Sequence, residues 1–403
     1  MAVSSTPAEA EKIIAPRGFR AGAARAGVKT GVADRFDVGL IVSDRPCAAA
    51  GVFTRNQVIA APCVLTRKHI ESGTLRAIVA NSGIANACTG DQGDRNAVAM
   101  AVAAANAVGC SPYEIGVAST GVIGWQLPMD RIVPAIAAIR PTETGFPDFS
   151  RAIMTTDTKP KQIVAAHTSR DSGTIRAIGT AKGAGMIHPN MATLLCFVVT
   201  DAEVPVAELR QITRRAADRS FNAISVDGDT STNDTLLVLA NGASGMPATA
   251  ETVRDAESLI MRVCELLARE IVADGEGVTK VFEVRVTGAA SDDDARKAAR
   301  TITTSNLVKT AIHGADPNWG RIIAAAGRSG AKVDDRKASI RIGAVDVFTR
   351  GAPALFNPDA LRAAFSEKEI AIELSLGLGD GAATAWGTDL SAEYVRINAD
   401  YTT

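Results

Sequence analysis

Lys182-Gly-Ala-Gly-Met-Ile-His-Pro-Asn-Met-Ala-Thr-Leu-Leu195 is a loop that runs into a strand. Its glycines, proline and asparagine interrupt regular structure as far as Ala192. From Thr193 an apolar run of strand type begins, apolar from 194 through 199. A hydroxyl therefore stands where a flexible segment meets a rigid one, a place suited to a nucleophile. Thr is also common as the first residue of a strand, and on pattern alone that plain reading is preferred.

Outward from this stretch, short apolar segments alternate with helical ones. Residues 162–168 and 174–180 read as a hairpin around Asp171-Ser172-Gly173, so strands flank the loop on both sides. Further strands are expected at 36–42, 48–53, 76–80 and 114–118, and helices at 96–108, 129–140, 206–220 and 251–272. The second half adds strands at 280–287, 338–342, 344–348 and 369–374. It also has a helix at 295–305, with 306–313 readable as its continuation, and an Ala-rich helix after the turn at 316–321. Few aromatics (4%) in a chain that is 46% hydrophobic point to a close-packed α/β protein, and 403 residues allow two or three domains.

Composition excludes several classes. A formal net charge of −1 without a basic stripe argues against nucleic acid as a partner. The longest apolar runs, such as 194–199, are far too short to span a bilayer. Residues 1–12 have no apolar core of the kind a secretory signal needs. Cys47, Cys63, Cys88, Cys110, Cys196 and Cys264 are scattered, which fits a reducing cytoplasm better than a disulfide framework or a zinc site. His69, His167, His188 and His313 lack metal-ligand spacing. The Asp-rich stretch 226–235 has no acidic twelfth ligand of an EF-hand, so turns and caps are expected there.

Three other segments can carry chemistry. Ser119-Thr120-Gly121-Val122-Ile123-Gly124 is a Gly turn between a strand and a helix, whose N–H groups could meet an anion or a developing oxyanion. It could equally be a plain connection. Residues 153–158 form a hydroxyl cluster that reads first as a helix cap. Asp274-Gly-Glu-Gly277 ends the long helix and leaves Glu276 on a turn. The Gly-rich 377–381 stretch is too degenerate to read as a phosphate loop.

Together these stretches resemble the ornithine acetyltransferases of arginine biosynthesis, the ArgJ family. The resemblance rests on 81–87, 119–124, 154–158, 182–195, 226–234, 274–280, 316–321 and 397–403, in the family's order. Lys-Gly-Ala-Gly-Met-Ile-His-Pro-Asn-Met-Ala-Thr-Leu-Leu and Asp-Gly-Glu-Gly-Val-Thr-Lys are its most specific parts. Cys is common in the family where Thr388 stands here; that position is assigned no role. The fold implied is a self-cleaving αββα sandwich of the DmpA/ArgJ type, spanning about 1–275, with a smaller C-terminal α/β portion at about 276–403.

The resemblance implies cleavage of the Ala192–Thr193 bond by the Thr193 hydroxyl, giving an α chain of 1–192 and a β chain of 193–403. The new α-amine, with a reference pKa of about 7.7–8.0, would act as base for the hydroxyl beside it. Thr193 would then carry acetyl from N2-acetyl-L-ornithine to L-glutamate in a ping-pong reaction, with Thr120 and Gly121 as the oxyanion hole. Substrate contacts are implied at Thr156, Lys182, Thr193, Glu276, Asn398 and Thr403. Thr155 and Thr158 are the neighbours that could replace Thr156. No bound cofactor is implied; acetyl-CoA is a possible co-substrate, and the α and β chains would form a heterotetramer, two of each. The alternatives are an N-terminal-Thr amidase or aminopeptidase on the same scaffold and a non-catalytic amino-acid-binding protein.

Overall fold

The computed structural model describes residues 4–7, 14–29, 35–169, 173–188 and 194–400. A nine-stranded sheet runs in the order Ser4–Pro7, Lys161–Ser169, Gly173–Lys182, Leu195–Thr200, Thr235–Ala240, Val38–Phe53, Thr74–Asn81 and Ile115–Ser119. Phe19–Ala24 joins it against Val38–Phe53.

Side-chain alternation shows that this sheet folds over on itself. Ile41, Ile78 and Ala80 of one half share a core with Ile178, Leu195, Phe197, Val199, Leu237 and Leu239 of the other. The alternate residues point outwards. Leu40, Val42, Ala77 and Val79 pack on helices Gly90–Val108 and Met129–Ala138. Cys196, Val198, Leu236 and Val238 pack on Val206–Arg219 and Ala250–Ala273. The layers are helix, sheet, sheet, helix: the αββα sandwich. Leu195–Thr200 is buried at every position, and its residues 195–199 are all apolar, because both of its faces are covered.

The helices follow from the same logic. Ala250–Ala273 buries Ala256, Leu259, Ile260, Val263, Cys264, Leu267 and Ile271, a stripe at helical spacing. Its start is fixed by Thr249, whose hydroxyl accepts the Thr252 N–H. It stops at Asp274, which delivers Glu276 on the following turn.

A seven-stranded sheet runs Ala352–Pro353, Val345–Thr349, Ser339–Ile342, Glu369–Ser375, Val281–Ala289, Gly381–Thr388 and Ile224–Ser225. Phe282, Val284 and Val286 turn to a core shared with helices Asp292–Thr303, Asn306–His313 and Pro358–Ser366. Ile224 and Ser225 pair with Trp386 and Gly387 and so join this sheet to the chain leaving the sandwich.

Several expectations need correction. The two strands expected at 36–42 and 48–53 are one, Val38–Phe53, with a register shift between Val42 and Cys47. The exposed Asp44, Arg45 and Pro46 read as a break, but Arg76 bonds the Ser43 and Asp44 carbonyls and carries the strand across. Asn306–His313 is a separate helix rather than a continuation. Phe19–Ala24, Gly381–Thr388 and helices Ala61–His69, Phe146–Ala152 and Pro358–Ser366 had no distinct signal in the sequence. Asp171 and Ser172 of the hairpin turn lie outside the described residues. Among the described residues no helix is long and apolar enough to cross a membrane.

Candidate active site

Lys182 and Leu195 are paired across two neighbouring antiparallel strands. The loop between them therefore leaves and returns at adjacent points of the sheet, at the end of the sandwich. Leu194 is buried, and its carbonyl accepts the Thr235 N–H from the next strand. Ala192 and Thr193 lie outside the described residues, as does Thr403. What surrounds the loop is a cavity of about 330 Å³. Thr120, Gly121, Thr155, Thr156, Lys182, Leu194, Glu276 and Asn398 all line it. Thr158 does not; its hydroxyl and N–H both go to Asp274.

One wall is built from neutral groups. Ser119 ends its strand and donates its hydroxyl to Asn81 at 2.6 Å. Asn81 in turn donates to the Ile84 carbonyl, and its own carbonyl takes the Thr120 N–H. Asn233 donates to the Ala85 and Ser119 carbonyls at 2.6 and 2.9 Å, locking the two segments together. Gly121 has φ +129°, and a Cβ there would stand 2.2 Å from the Gly83 carbonyl carbon. Only glycine allows this approach. The Thr120 N–H is committed to Asn81, Thr120 lines the cavity, and its hydroxyl makes no hydrogen bond among the described residues.

The other wall is ionic. Lys161, fully buried, donates to Asp157 at 2.6 Å and to Asp274 at 2.5 Å. Asp157 also accepts the Gly183 N–H at 2.7 Å and the Thr155 N–H at 3.0 Å. Burial works to raise the Asp157 pKa, but nearby Lys182 and Lys161, with the hydrogen bonds from Lys161 and Thr155, outweigh it and hold it at about 2. This one carboxylate thus ties together the Thr155–Thr156 segment, the start of the loop and Lys161. Burial lowers the Lys182 pKa, while Asp157, Glu276 and Asp234 pull it back up against the opposing charge of Lys161. No carboxylate lies within ion-pair distance of the Lys182 ammonium among the described residues.

Glu276 lines the same cavity. Its N–H donates to the Ala184 carbonyl, and its carboxylate accepts from the Asn398 amide at 3.0 Å. A Cβ on Gly185 would lie 2.4 Å from that carboxylate, so the loop backbone passes directly over it. Asn398 comes from the last helix, Ala392–Asp400, which is tied back by Ser391 donating to the Gly277 carbonyl.

The loop itself is gripped from below. Asp227 accepts the Met186 and Ile187 N–H groups at 2.6 and 2.9 Å. Val226 donates to the Ile187 carbonyl and Thr230 to the His188 carbonyl. Arg300 lies 2.8 Å from His188 Nε2, and a guanidinium can only donate, so that nitrogen is unprotonated. Burial first, and Arg300 second, lower the His188 pKa to about 4. The Asp-rich 226–235 stretch therefore works as the turn-and-cap segment expected, with Asp227 clasping backbone. Among the described residues no group of His, Cys, Asp and Glu is placed to hold a metal ion.

Sequence reasoning missed Asn233, Asp157, Lys161, Asp274, Lys29, Arg35 and Trp125 as site residues. Lys29, Arg35 and Trp125 line the cavity from segments with no motif character. Asp157, Asn233 and Asp274 lie inside stretches already singled out, 153–158, 226–235 and 274–277, where the polar or turn character was visible but the partners were not.

A profile of the ArgJ family matches residues 20–403. The chain is 52% identical over 397 residues to an arginine biosynthesis bifunctional protein ArgJ from Symbiobacterium thermophilum, covering 97% of this chain and 98% of that protein. It is 46% identical to the protein of the same name from Dehalococcoides mccartyi, covering 97% of each. A solved ornithine acetyltransferase from Mycobacterium tuberculosis, complexed with ornithine, is 40% identical with a TM-score of 0.42, covering 48% of this chain and 100% of that one.

Proposed function

Because the chain belongs to the ArgJ family, we propose that it is an acyltransferase of arginine biosynthesis moving acetyl from N2-acetyl-L-ornithine to L-glutamate. The observation that carries this reading is the single cavity where Thr120, Gly121, Thr156, Lys182, Glu276 and Asn398 meet beside Leu194. They arrive from five separate parts of the sequence.

The Thr193 hydroxyl attacks the Ala192 carbonyl, the peptide C–N bond breaks to leave an ester, and water hydrolyses that ester, so Ala192 ends the α chain as a carboxylate and Thr193 begins the β chain. Its free α-amine then takes the hydroxyl proton. The hydroxyl oxygen attacks the acetyl carbonyl, and the tetrahedral oxyanion is met by the Thr120 hydroxyl and the Gly121 N–H. The C–N bond breaks, ornithine leaves with the proton on its amine, and an acetyl ester remains on Thr193. The α-amine of glutamate attacks that ester, the ester C–O bond breaks, the proton lost by the amine passes by way of the Thr193 amine to the Thr193 oxygen, and N-acetylglutamate departs. Lys182 takes the α-carboxylate of the amino acid. Glu276, with Asn398 at its side, takes the side-chain ammonium of ornithine. The reaction needs no bound cofactor. Acetyl-CoA is a second donor in the bifunctional form of the activity, and the Symbiobacterium and Dehalococcoides relatives carry the word bifunctional in their names. The two chains stay together because the Lys182 and Leu195 strands, on either side of the cut, are neighbours in one sheet.

A denaturing gel and intact mass test the maturation step: two chains are expected in place of one of 41.8 kDa. Thr193→Ala is expected to stay whole and to lose acetyl transfer; a Thr193→Ala protein that still transfers acetyl refutes the mechanism. Ornithine release that proceeds equally without glutamate makes the enzyme a hydrolase instead. N-acetylglutamate formed from acetyl-CoA and glutamate tests the second activity.

A further inference from the structure

The two amino acids that share this site have opposite side chains. Both present an α-amine and an α-carboxylate, but ornithine ends in an ammonium and glutamate in a carboxylate. Glu276 suits the first and repels the second. A ping-pong reaction in one cavity therefore requires a cation away from Glu276, able to take the acceptor's second carboxylate.

Arg35 is a cation of this cavity whose hydrogen bonds go to the Met154–Thr155 segment and not to Glu276. It is half-buried, lines the cavity, and belongs to the segment entering strand Val38–Phe53. Its guanidinium is steered by the Met154 carbonyl at 3.3 Å and the Thr155 carbonyl at 3.5 Å, next to Thr156. These contacts occupy one N–H on each terminal nitrogen. A guanidinium has about five N–H donors, so roughly three remain, enough for a bidentate carboxylate. Among the described residues no acidic side chain is bonded to Arg35. The charges on the wall then match both substrates. Lys182 and Arg35 are cations without a carboxylate in ion-pair range, and glutamate brings two carboxylates. Glu276 is a carboxylate bonded by a neutral amide, and ornithine brings one side-chain ammonium.

We propose that Arg35 is the specificity residue for the acetyl acceptor, binding the side-chain carboxylate of L-glutamate while Lys182 holds its α-carboxylate. Ornithine and glutamate thus use the same reacting centre and turn their side chains to different charged groups, Glu276 for one and Arg35 for the other. The inference rests on the acetyl-transfer reading above and adds the group that tells acceptor from donor.

The test separates the half-reactions. Arg35→Gln keeps a donor for the Met154 and Thr155 carbonyls and removes the charge; Arg35→Lys keeps the charge and loses the fork. With N-acetylornithine alone, wild type should give a burst of ornithine equal to the enzyme present. Absence of that burst in wild type overturns the acetyl-transfer reading itself. Given the burst, Arg35→Gln should raise the glutamate KM about ten- to a hundredfold relative to the N-acetylornithine KM. It should also collapse the preference for glutamate over L-glutamine, and Arg35→Lys should recover part of both. Equal changes in the two KM values, or an unchanged preference for glutamate over glutamine, overturn the assignment of Arg35. Unchanged melting temperatures show that the effect is not a loss of fold.

Discussion

The two walls of the cavity are held by different physics. The turn at Thr120–Gly121 is fixed by neutral amides, a hydroxyl and a backbone approach that excludes any side chain, through Asn81, Ser119, Asn233 and Gly83. The opposite wall is fixed by buried ions, Asp157, Lys161 and Asp274, behind Lys182 and Glu276. An oxyanion exists only for the moment of reaction, so its donors must be rigid dipoles already in place. The substrates are charged all the time, so their wall must carry charge. Buried charge is tolerated only when paired and hydrogen-bonded. The neutral wall should therefore govern rate, and the ionic wall should govern stability, substrate binding and response to pH.

The largest test of that division is Lys161→Met. It leaves Asp157 and Asp274 buried without their common cation. Breaking a buried ionic group this way typically costs about 3–5 kcal/mol, and urea unfolding at neutral pH should show a loss of that order. A loss near zero would mean the ionic wall is not what holds this side of the cavity. Gly121→Ala attacks the other wall. Its Cβ would collide with the Gly83 backbone, displacing the donor pair. A fall of about 10²–10³ in kcat is expected, with KM changed far less; a variant that mainly raised KM would erase the distinction between the walls.

A smaller effect is expected from acid. The Asp157 pKa is held at about 2 in the folded protein, against about 3.9 in an unfolded chain. A depressed carboxylate stabilises the fold fully above its unfolded value, and that stabilisation is lost as pH falls through the folded value. Urea midpoints measured from pH 5 down to pH 2 should fall for wild type and fall less steeply for Asp157→Asn. Parallel curves would show that Asp157 does not carry the acid response of this wall.

Legibility divided along similar lines. The run 194–199 could be read as a strand because it is continuously apolar, and the helix Ala250–Ala273 because its apolar residues recur at helical spacing. Those signals are local. Phe19–Ala24 was not read, because Phe-Arg-Ala-Gly-Ala-Ala has small residues where a strand usually shows branched ones. Only pairing with Val38–Phe53 makes it one. Among the site residues, Thr120, Gly121, Lys182 and Glu276 stand in recognisable stretches. Asp157 and Asp274 lie inside such stretches too, but Lys161 and Arg35 do not, and the role of all four depends on partners far away in the chain. Lys161 and Asp274 are 113 positions apart and 2.5 Å from each other.

By itself, the sequence determined that the chain is a close-packed α/β protein, that loop 182–195 runs into an apolar strand, and which family's motifs it carries. Apolar periodicity and short motifs are properties of neighbouring residues, so they can be read without a fold. Tertiary structure alone decided that the sheet doubles over into a sandwich, that Lys182 and Leu195 close the loop side by side, and that Arg35, Glu276 and Lys182 face one cavity. Those facts depend on long-range pairing and on which charges end up buried together, and neither is written in local order.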